Sequence, residues 1–148
     1  MLDADVLALL DGTDLQARAG LTLELITVDA DGWPRVALLS VGEVLATGEG
    51  SMRLALWPGS RTTANLERSA RAMLAFVHDG TAHRVRLEAG RCADLLVGGD
   101  ARAIFDAPVV SVAGDEVPYA RLGTGITHEL VDPEQTLARW RATVAALR

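Results

Sequence analysis

Hydrophobic residues recur on two periods along this chain, and the switches between them outline its elements. Leu2, Val6, Leu9 and Leu10 lie near helical spacing, which predicts a short N-terminal helix. Gly12 and Gly20 bracket a loop or partly helical link. From Leu21 the period drops to two, with Leu21, Leu23 and Leu25 on one face and Thr22, Glu24 and Ile26 on the other, the alternation of a strand. The run DADG, Asp29 to Gly32, is turn chemistry. WPRVALLSV returns as a second strand, with Pro34 at its start or on an edge. GEVLATGEGS holds three glycines and reads as a loop or an irregular hairpin.

A third strand follows in MRLALW, with Met52, Leu54 and Leu56 on one face. TTANLERSARA reads as a short helix presenting Leu66 and Ala70. RAMLAFVH is apolar on both faces, which suits a central strand. Asp79-Gly80 is a hairpin signal. AHRVRLEAGRCADLL continues as a long strand, with His83, Val85 and Leu87 opposite Arg84, Arg86 and Glu88. The stretch from Val97 to Leu122 shows no clear period, and a short helix is expected around Ala101 to Phe105. GITHELV reads as a final strand. The last helix has the strongest signals: Asp132 to cap it, Pro133 in its first turn, Gln135 to complete a capping box, and Leu137, Trp140, Val144 and Leu147 on one face. Antiparallel strands with short helices between them point to an α+β fold built on a closed or split β-barrel.

Composition narrows the function classes. A chain of 148 residues with 49% hydrophobic positions fits one domain spanning 1–148 and can bury roughly 68–70% of its unfolded surface. All 14 basic side chains are arginines, which removes any lysine nucleophile or Schiff base. With 20 acids and a net charge of -6 there is no basic cluster, which argues against nucleic acid as a partner. The single cysteine, Cys92, excludes an internal disulfide and a multi-cysteine zinc site. The first residues carry no positive leader and no apolar run reaches membrane-spanning length, so a cytoplasmic protein with no membrane partner is expected.

Most chemical motifs are missing. Gly48-Glu49-Gly50 lacks the third glycine and the following helix of a dinucleotide fingerprint, and there is no Walker loop and no Gly-x-Ser-x-Gly elbow. His78, His83 and His128 are too scattered for a spaced metal motif, so no metal site is assigned. His83 and His128 could each flank a cavity. One stretch remains, WPGSRTTANLERSARAMLAF, in which Ser60, Arg61, Thr62 and Thr63 precede a helix. Arg61 offers a planar fork of N–H groups, the three hydroxyls offer further donors, and the helix N-terminus adds free backbone N–H groups, so a phosphate could be seated there. The competing reading is a capping hydroxyl with Arg61 in solvent.

The order RVALLS, then SRTTANL, a helix, AMLAFV, a hairpin and HRVRLEAG resembles the pyridoxamine 5'-phosphate oxidase-like, FMN-binding split barrel family, over Leu21 to about Arg91. The full oxidases show an arginine followed by apolar residues and a lysine on the second strand. They show Ser-Arg-Lys before the helix, and Arg-Gln-Val-Arg-Val-Glu-Gly on the later strand. The resemblance implies an antiparallel split β-barrel of about six strands with short flanking helices and a C-terminal helix. It also implies a homodimer with FMN between the subunits. Ser60, Arg61 and Thr62 would hold the phosphate, helped by Arg35, while Thr63 and Asn65 would fix the loop or complete the phosphate shell. The backbone of Val36, Ala37, Leu38, Leu39 and Ser40 would run beside the isoalloxazine ring. Trp57 or Pro58 would lie near the ribityl chain, and Arg84, in the place of the family's glutamine, could reach the ring's polar end. Ser40 and Thr62 stand where the oxidases have lysines, and their Arg-Leu-x-Pro ending is absent. The chain therefore resembles a short bacterial member and not a true pyridoxamine phosphate oxidase. Two functions are implied: a flavin-dependent oxidoreductase acting on a small molecule with no catalytic side chain assigned, or a non-catalytic flavin or deazaflavin holder or sensor. FMN is the expected cofactor, with a deazaflavin or an empty site as alternatives.

Overall fold

A computed structural model describes all 148 residues. Its elements run α1 (Ala4–Leu9), β1 (Leu23–Val28), β2 (Pro34–Leu39), β3 (Val44–Gly48), β4 (Ser51–Leu56), α2 (Arg61–Ser69), β5 (Arg71–His78), β6 (Thr81–Glu88), β7 (Gly90–Val97), β8 (Asp100–Asp115) and α3 (Pro133–Leu147). All eight strands join one antiparallel sheet in the order β2-β1-β5-β6-β8-β4-β3, with β7 also on β8. The strands therefore number eight rather than about six.

The sheet is organised by one long hairpin. β6 and β7 are consecutive stretches of a single strand, hitched at Ala89, and both pair with β8: Ala82 to Leu87 against Asp115 to Val109, then Gly90 to Val97 against Asp106 to Asp100. The hairpin closes at Gly98-Gly99, both with positive φ, 58° and 88°, the backbone that a two-residue turn requires and that glycine adopts without a Cβ clash. The other edge of β8 carries β4, from Ser51↔Pro108 to Leu56↔Ala103. One end of the hairpin thus continues into β5, β1 and β2 and the other into β4 and β3, which curls the sheet into a split barrel.

Several elements differ from the sequence reading. The helix expected at Ala101 to Phe105 is part of β8: Ala103 and Phe105 face one side and Arg102 and Ile104 the other, and all four are buried, so a strand covered on both faces loses its alternation. GITHELV forms no strand, only an isolated bridge from Leu21 to Thr127. GEVLATGEGS, by contrast, takes the irregular-hairpin form of its two expectations: it holds β3 and its turn, with a register shift between Ala46 and Gly48. The first strand begins at Leu23, not Leu21. Ala70 is not on the apolar face of α2; it ends the helix in the left-handed conformation at φ 58°, exposed, with its N–H on the Leu66 carbonyl.

The core is one cluster of 30 buried residues drawn from α1 to α3, with Phe105, Leu25, Leu54 and Leu74 among the sealed side chains. α2 lies against β1 and β7 and buries Leu66, while α3 packs on β3, β4 and β7 through Leu137, Trp140, Val144 and Leu147. Trp140 rests on the backbone at Gly42, where an added Cβ would overlap its ring. Gly42→Ala should therefore displace α3 and cost about 1–3 kcal/mol of unfolding free energy, the usual cost of overpacking. A urea midpoint equal to that of the parent protein would show that Trp140 is not anchored there.

Candidate functional site

The polar stretch before α2 divides into used and unused donors. Ser60 is the N-cap: its Oγ accepts the Thr63 N–H at 3.1 Å. The Thr63 hydroxyl, fully buried, donates to the Trp57 carbonyl at 2.7 Å and so ties the turn that enters the helix. Arg61 makes no hydrogen bond or ion pair within the chain. The hydroxyl of Thr62 has no partner either, although the residue is only 6% exposed. The backbone N–H groups of Arg61 and Thr62 belong to the first helical turn and are likewise unpartnered. Four donors are thus left at one helix start.

Asn65 anchors the helix to the sheet. Its amide donates to Thr27 Oγ1 at 3.0 Å and to Asp29 Oδ1 at 2.8 Å, and its carbonyl oxygen accepts from Arg68 at 3.1 Å. Arg68 also donates to the Val28 carbonyl. Asp29 opens the β1–β2 turn and accepts from Arg35 Nε at 2.8 Å. A polar pocket of about 410 Å³ lies beside this network, lined by Asp29, Asp31, Arg61, Ala64, Asn65 and Arg68 among others. Arg35 and Asn65 border the helix start but are committed to Asp29, whereas Arg61 is free.

The free edge of β2 completes the arrangement. The Asp29 N–H bonds the Trp33 carbonyl and the Gly32 N–H bonds the Asp29 carbonyl, with Gly32 at φ 91°. From that pair, antiparallel alternation puts the hydrogen-bonding groups of Arg35, Ala37 and Leu39 on β1. The N–H and C=O groups of Val36 and Leu38 point off the sheet edge, and their side chains are exposed on the outer face. Ser40 is not available: its N–H and hydroxyl both bond Glu43 Oε2, at 2.7 and 3.0 Å.

Trp57 and Pro58 sit in the turn ahead of Ser60. Sequence reasoning passed over the neighbour of Trp57: Arg102, only 5% exposed, lies 3.9 Å from the indole centroid and donates to the Ala101 carbonyl. Nothing local marks Arg102, because the strand that carries it was not recognised. Asp29 was read only as a turn former, although it stands six residues before Arg35 across that turn. Arg84 is not near the helix start. It lies on the outer face in the row Leu38, Glu24, Ala75, Arg84, three strands from β2 and roughly 14 Å away at the usual spacing, paired with Asp115. His128 accepts or donates at Thr22 Oγ1, 2.8 Å away, and meets Trp140 edge-on, so it is part of the packing.

No protein-family model matches the chain. It is 38% identical over 143 residues to the uncharacterized protein YclD of Bacillus subtilis (strain 168), covering 95% of this chain and 91% of that one. The chain belongs to the family of that protein. Among solved structures, HupZ of Group A Streptococcus matches with a TM-score of 0.61 at 15% identity, over 83% of this chain and 100% of that one. A protein of Lactobacillus delbrueckii named as a "putative pyridoxamine 5'-phosphate oxidase" matches at 0.57 and 20% identity, over 76% and 93%. An FMN-binding protein of Syntrophomonas wolfei matches at 0.50 and 19%, over 74% and 88%. These likenesses show the fold, the pyridoxamine 5'-phosphate oxidase-like split barrel that the motif order resembles.

The Asp29 network has a pH signature. The hydrogen bond from Arg35, then that from Asn65, holds the Asp29 carboxyl at about 2, down from 3.8. A depressed carboxylate stabilises the folded state above its unfolded value, and that contribution is lost as pH falls from 3.8 through about 2. The Asp29 side-chain carbon should titrate near that lower value by NMR, and Arg35→Gln should move the midpoint upward. A midpoint that ignores Arg35→Gln would dismiss the ion pair as its cause.

Proposed function

We propose that this protein is a cytoplasmic homodimer that binds FMN and serves as a flavin-dependent oxidoreductase on a small molecule. The observation that carries the reading is the set of unpartnered donors at the start of α2: the Arg61 guanidinium, the Thr62 hydroxyl and two backbone N–H groups. A helix N-terminus with a free arginine suits a phosphate monoester, and the Asp29 carboxylate in the same pocket is already paired with Arg35. The Val36 and Leu38 edge groups offer the alternating donors and acceptors that the polar rim of a planar heterocycle needs. The residues present therefore fit the group: Arg61 and Thr62 hold its phosphate, and β2 fixes its ring. When bound, the flavin supplies the hydride or electron transfer, while the chain binds and orients it. Ser60 and Thr63 act one step back, by fixing the turn.

Dimer formation is supported by the outer face of the sheet, where Val28, Val36, Leu38 and Val110 are exposed around a groove of about 460 Å³ lined also by Ile26 and Met73. Arg84 reaches such a cofactor only if a second copy supplies it. A second reading, a flavin or deazaflavin holder without turnover, is favoured by Ser40. It stands where the oxidases carry a lysine and is consumed by Glu43, so no cation from that position faces a substrate.

Loss of a charge-assisted hydrogen bond, about 1.5–3 kcal/mol, should make Arg61→Ala bind FMN roughly 10- to 150-fold more weakly in a fluorescence titration. Thr62→Val should weaken binding by roughly 2- to 12-fold, the equivalent of about 0.5–1.5 kcal/mol for a neutral bond. Arg61→Ala should change stability by no more than a surface substitution does, about 0.5 kcal/mol. Unaltered affinity in both variants would remove the helix start from the site. Turnover is separated from storage by reducing the bound cofactor with a nicotinamide donor and adding quinones or oxygen: reoxidation fits the oxidoreductase, and persistent inertness fits the holder. Sedimentation should show a dimer that Val110→Arg dissociates, and a dimer indifferent to that change would place the interface elsewhere.

A further inference from the structure

A second polar cavity, of about 210 Å³, shares no residue with the pocket beside Arg61. It lies at one end of the barrel, where the N-terminal segment crosses the β5–β6 turn. Asp3, Asp5, His78, Asp79, Thr81 and His83 line it. The pairings Phe76↔His83 and His78↔Thr81 bring the two imidazoles to adjacent strands, with ring centroids 6.4 Å apart. His83 stacks on Phe76 at 5.0 Å between centroids.

Two independent features mark the cavity. The first is uncompensated charge. None of Asp3, Asp5 and Asp79 is in an ion pair, and only Asp3 uses an oxygen, Oδ1, to accept the Val6 N–H at 2.8 Å. The second is His83. It is 9% exposed, makes no hydrogen bond within the chain, has no polar atom sealed from solvent, and lines the cavity. An imidazole with no partner, buried against a phenylalanine and ringed by carboxylates, is built to face a donor.

The space and the spacing say which donor. No three His, Cys, Asp or Glu side chains in the chain gather closely enough to hold a metal ion. The cavity equals the liquid volume of about seven waters, far more than a bare cation fills. An ammonium group carries three N–H donors and no acceptor, the complement of carboxylates and a neutral imidazole nitrogen. Val112 provides an apolar contact for a short alkyl chain. We propose that this end of the barrel binds a small primary alkylammonium compound, with its charged head in the field of Asp3, Asp5 and Asp79 and one N–H on His83. The site is independent of the flavin reading.

The test is a titration of the full-length protein with n-butylamine at constant ionic strength, following the imidazole cross-peaks of His78 and His83 by NMR. Saturable shifts confined to these two histidines are expected. Tetramethylammonium, which has no N–H donor, should leave both peaks unmoved. Asp79→Asn keeps a residue type tolerant of the φ of 47° at that turn and should weaken butylamine at least tenfold. Asp5→Asn, on the surface of the cavity, is the companion variant should Asp79→Asn fail to fold. The proposal is overturned by the absence of saturable shifts, by equal response to tetramethylammonium, by unaltered affinity in the variants, or by Zn²⁺ binding at His78 and His83 while butylamine is ignored.

Discussion

The structure hangs on the long hairpin of β6 and β7 with β8. No hydrogen bond joins β5, β1 and β2 to β4 and β3 except through it. β8 is 16 residues long and is paired along both edges over Ala103 to Asp106, which seals Ala103, Ile104 and Phe105 in the core. Ala89 is the hinge of its partner strand. The register against β8 shifts on either side of it, at Arg86/Leu87 and at Arg91/Ala93, while the Ala89 N–H bonds the Ala70 carbonyl at 2.7 Å and so extends the β5–β6 pairing by one step. That bond also fixes where α2 ends, because Ala70 is the left-handed residue that closes the helix. The same strand therefore carries the register shifts that bend the sheet and the bond that positions the C-terminal end of the helix whose other end offers the free donors.

Capping and anion binding are often posed as alternatives for a polar turn, and this turn shows how they coexist. Ser60 and Thr63 spend their hydroxyls on the helix start and the Trp57 carbonyl, and Asn65 spends its amide on Thr27 and Asp29. These bonds hold the first turn of α2 against the sheet. With the turn fixed by its neighbours, the Arg61 guanidinium and the Thr62 hydroxyl are left uncommitted. A site whose geometry is set by one group of residues and whose donors come from another needs little reorganisation when its anion arrives.

How much of this was legible in the sequence follows from local physics. α3 was readable because its signals are all local: Asp132 does accept the Gln135 N–H, and its four apolar positions are all buried. β5 was readable as central because both its faces are apolar. β8 was not, since a strand covered on both faces by tertiary packing resembles a helix segment when its partners lie far along the chain. The polar stretch at Ser60 was legible as a place, but not in its division of labour. The Asp29–Arg35 pair depends on a hairpin register set by Gly32, and Arg102 depends on the pairing of β8 with β4. The barrel-end cavity has no signature of its own, because its residues come from three separate stretches.

Charge placement ties these points together. The chain carries 20 acids against 14 arginines, so an arginine finds a carboxylate easily. Arg18, Arg35, Arg53, Arg84 and Arg91 all do so, at Asp11, Asp29, Asp106, Asp115 and Glu67. Exposed pairs of this kind contribute only about 0–1 kcal/mol each, so their value lies in occupying charge rather than in stability. Arg61 has Asp29 within its electrostatic reach, and yet that carboxylate is already taken by Arg35 and Asn65. The same network that anchors α2 thus occupies Asp29, one of the two acids that line the pocket beside Arg61, and leaves the Arg61 guanidinium unpaired.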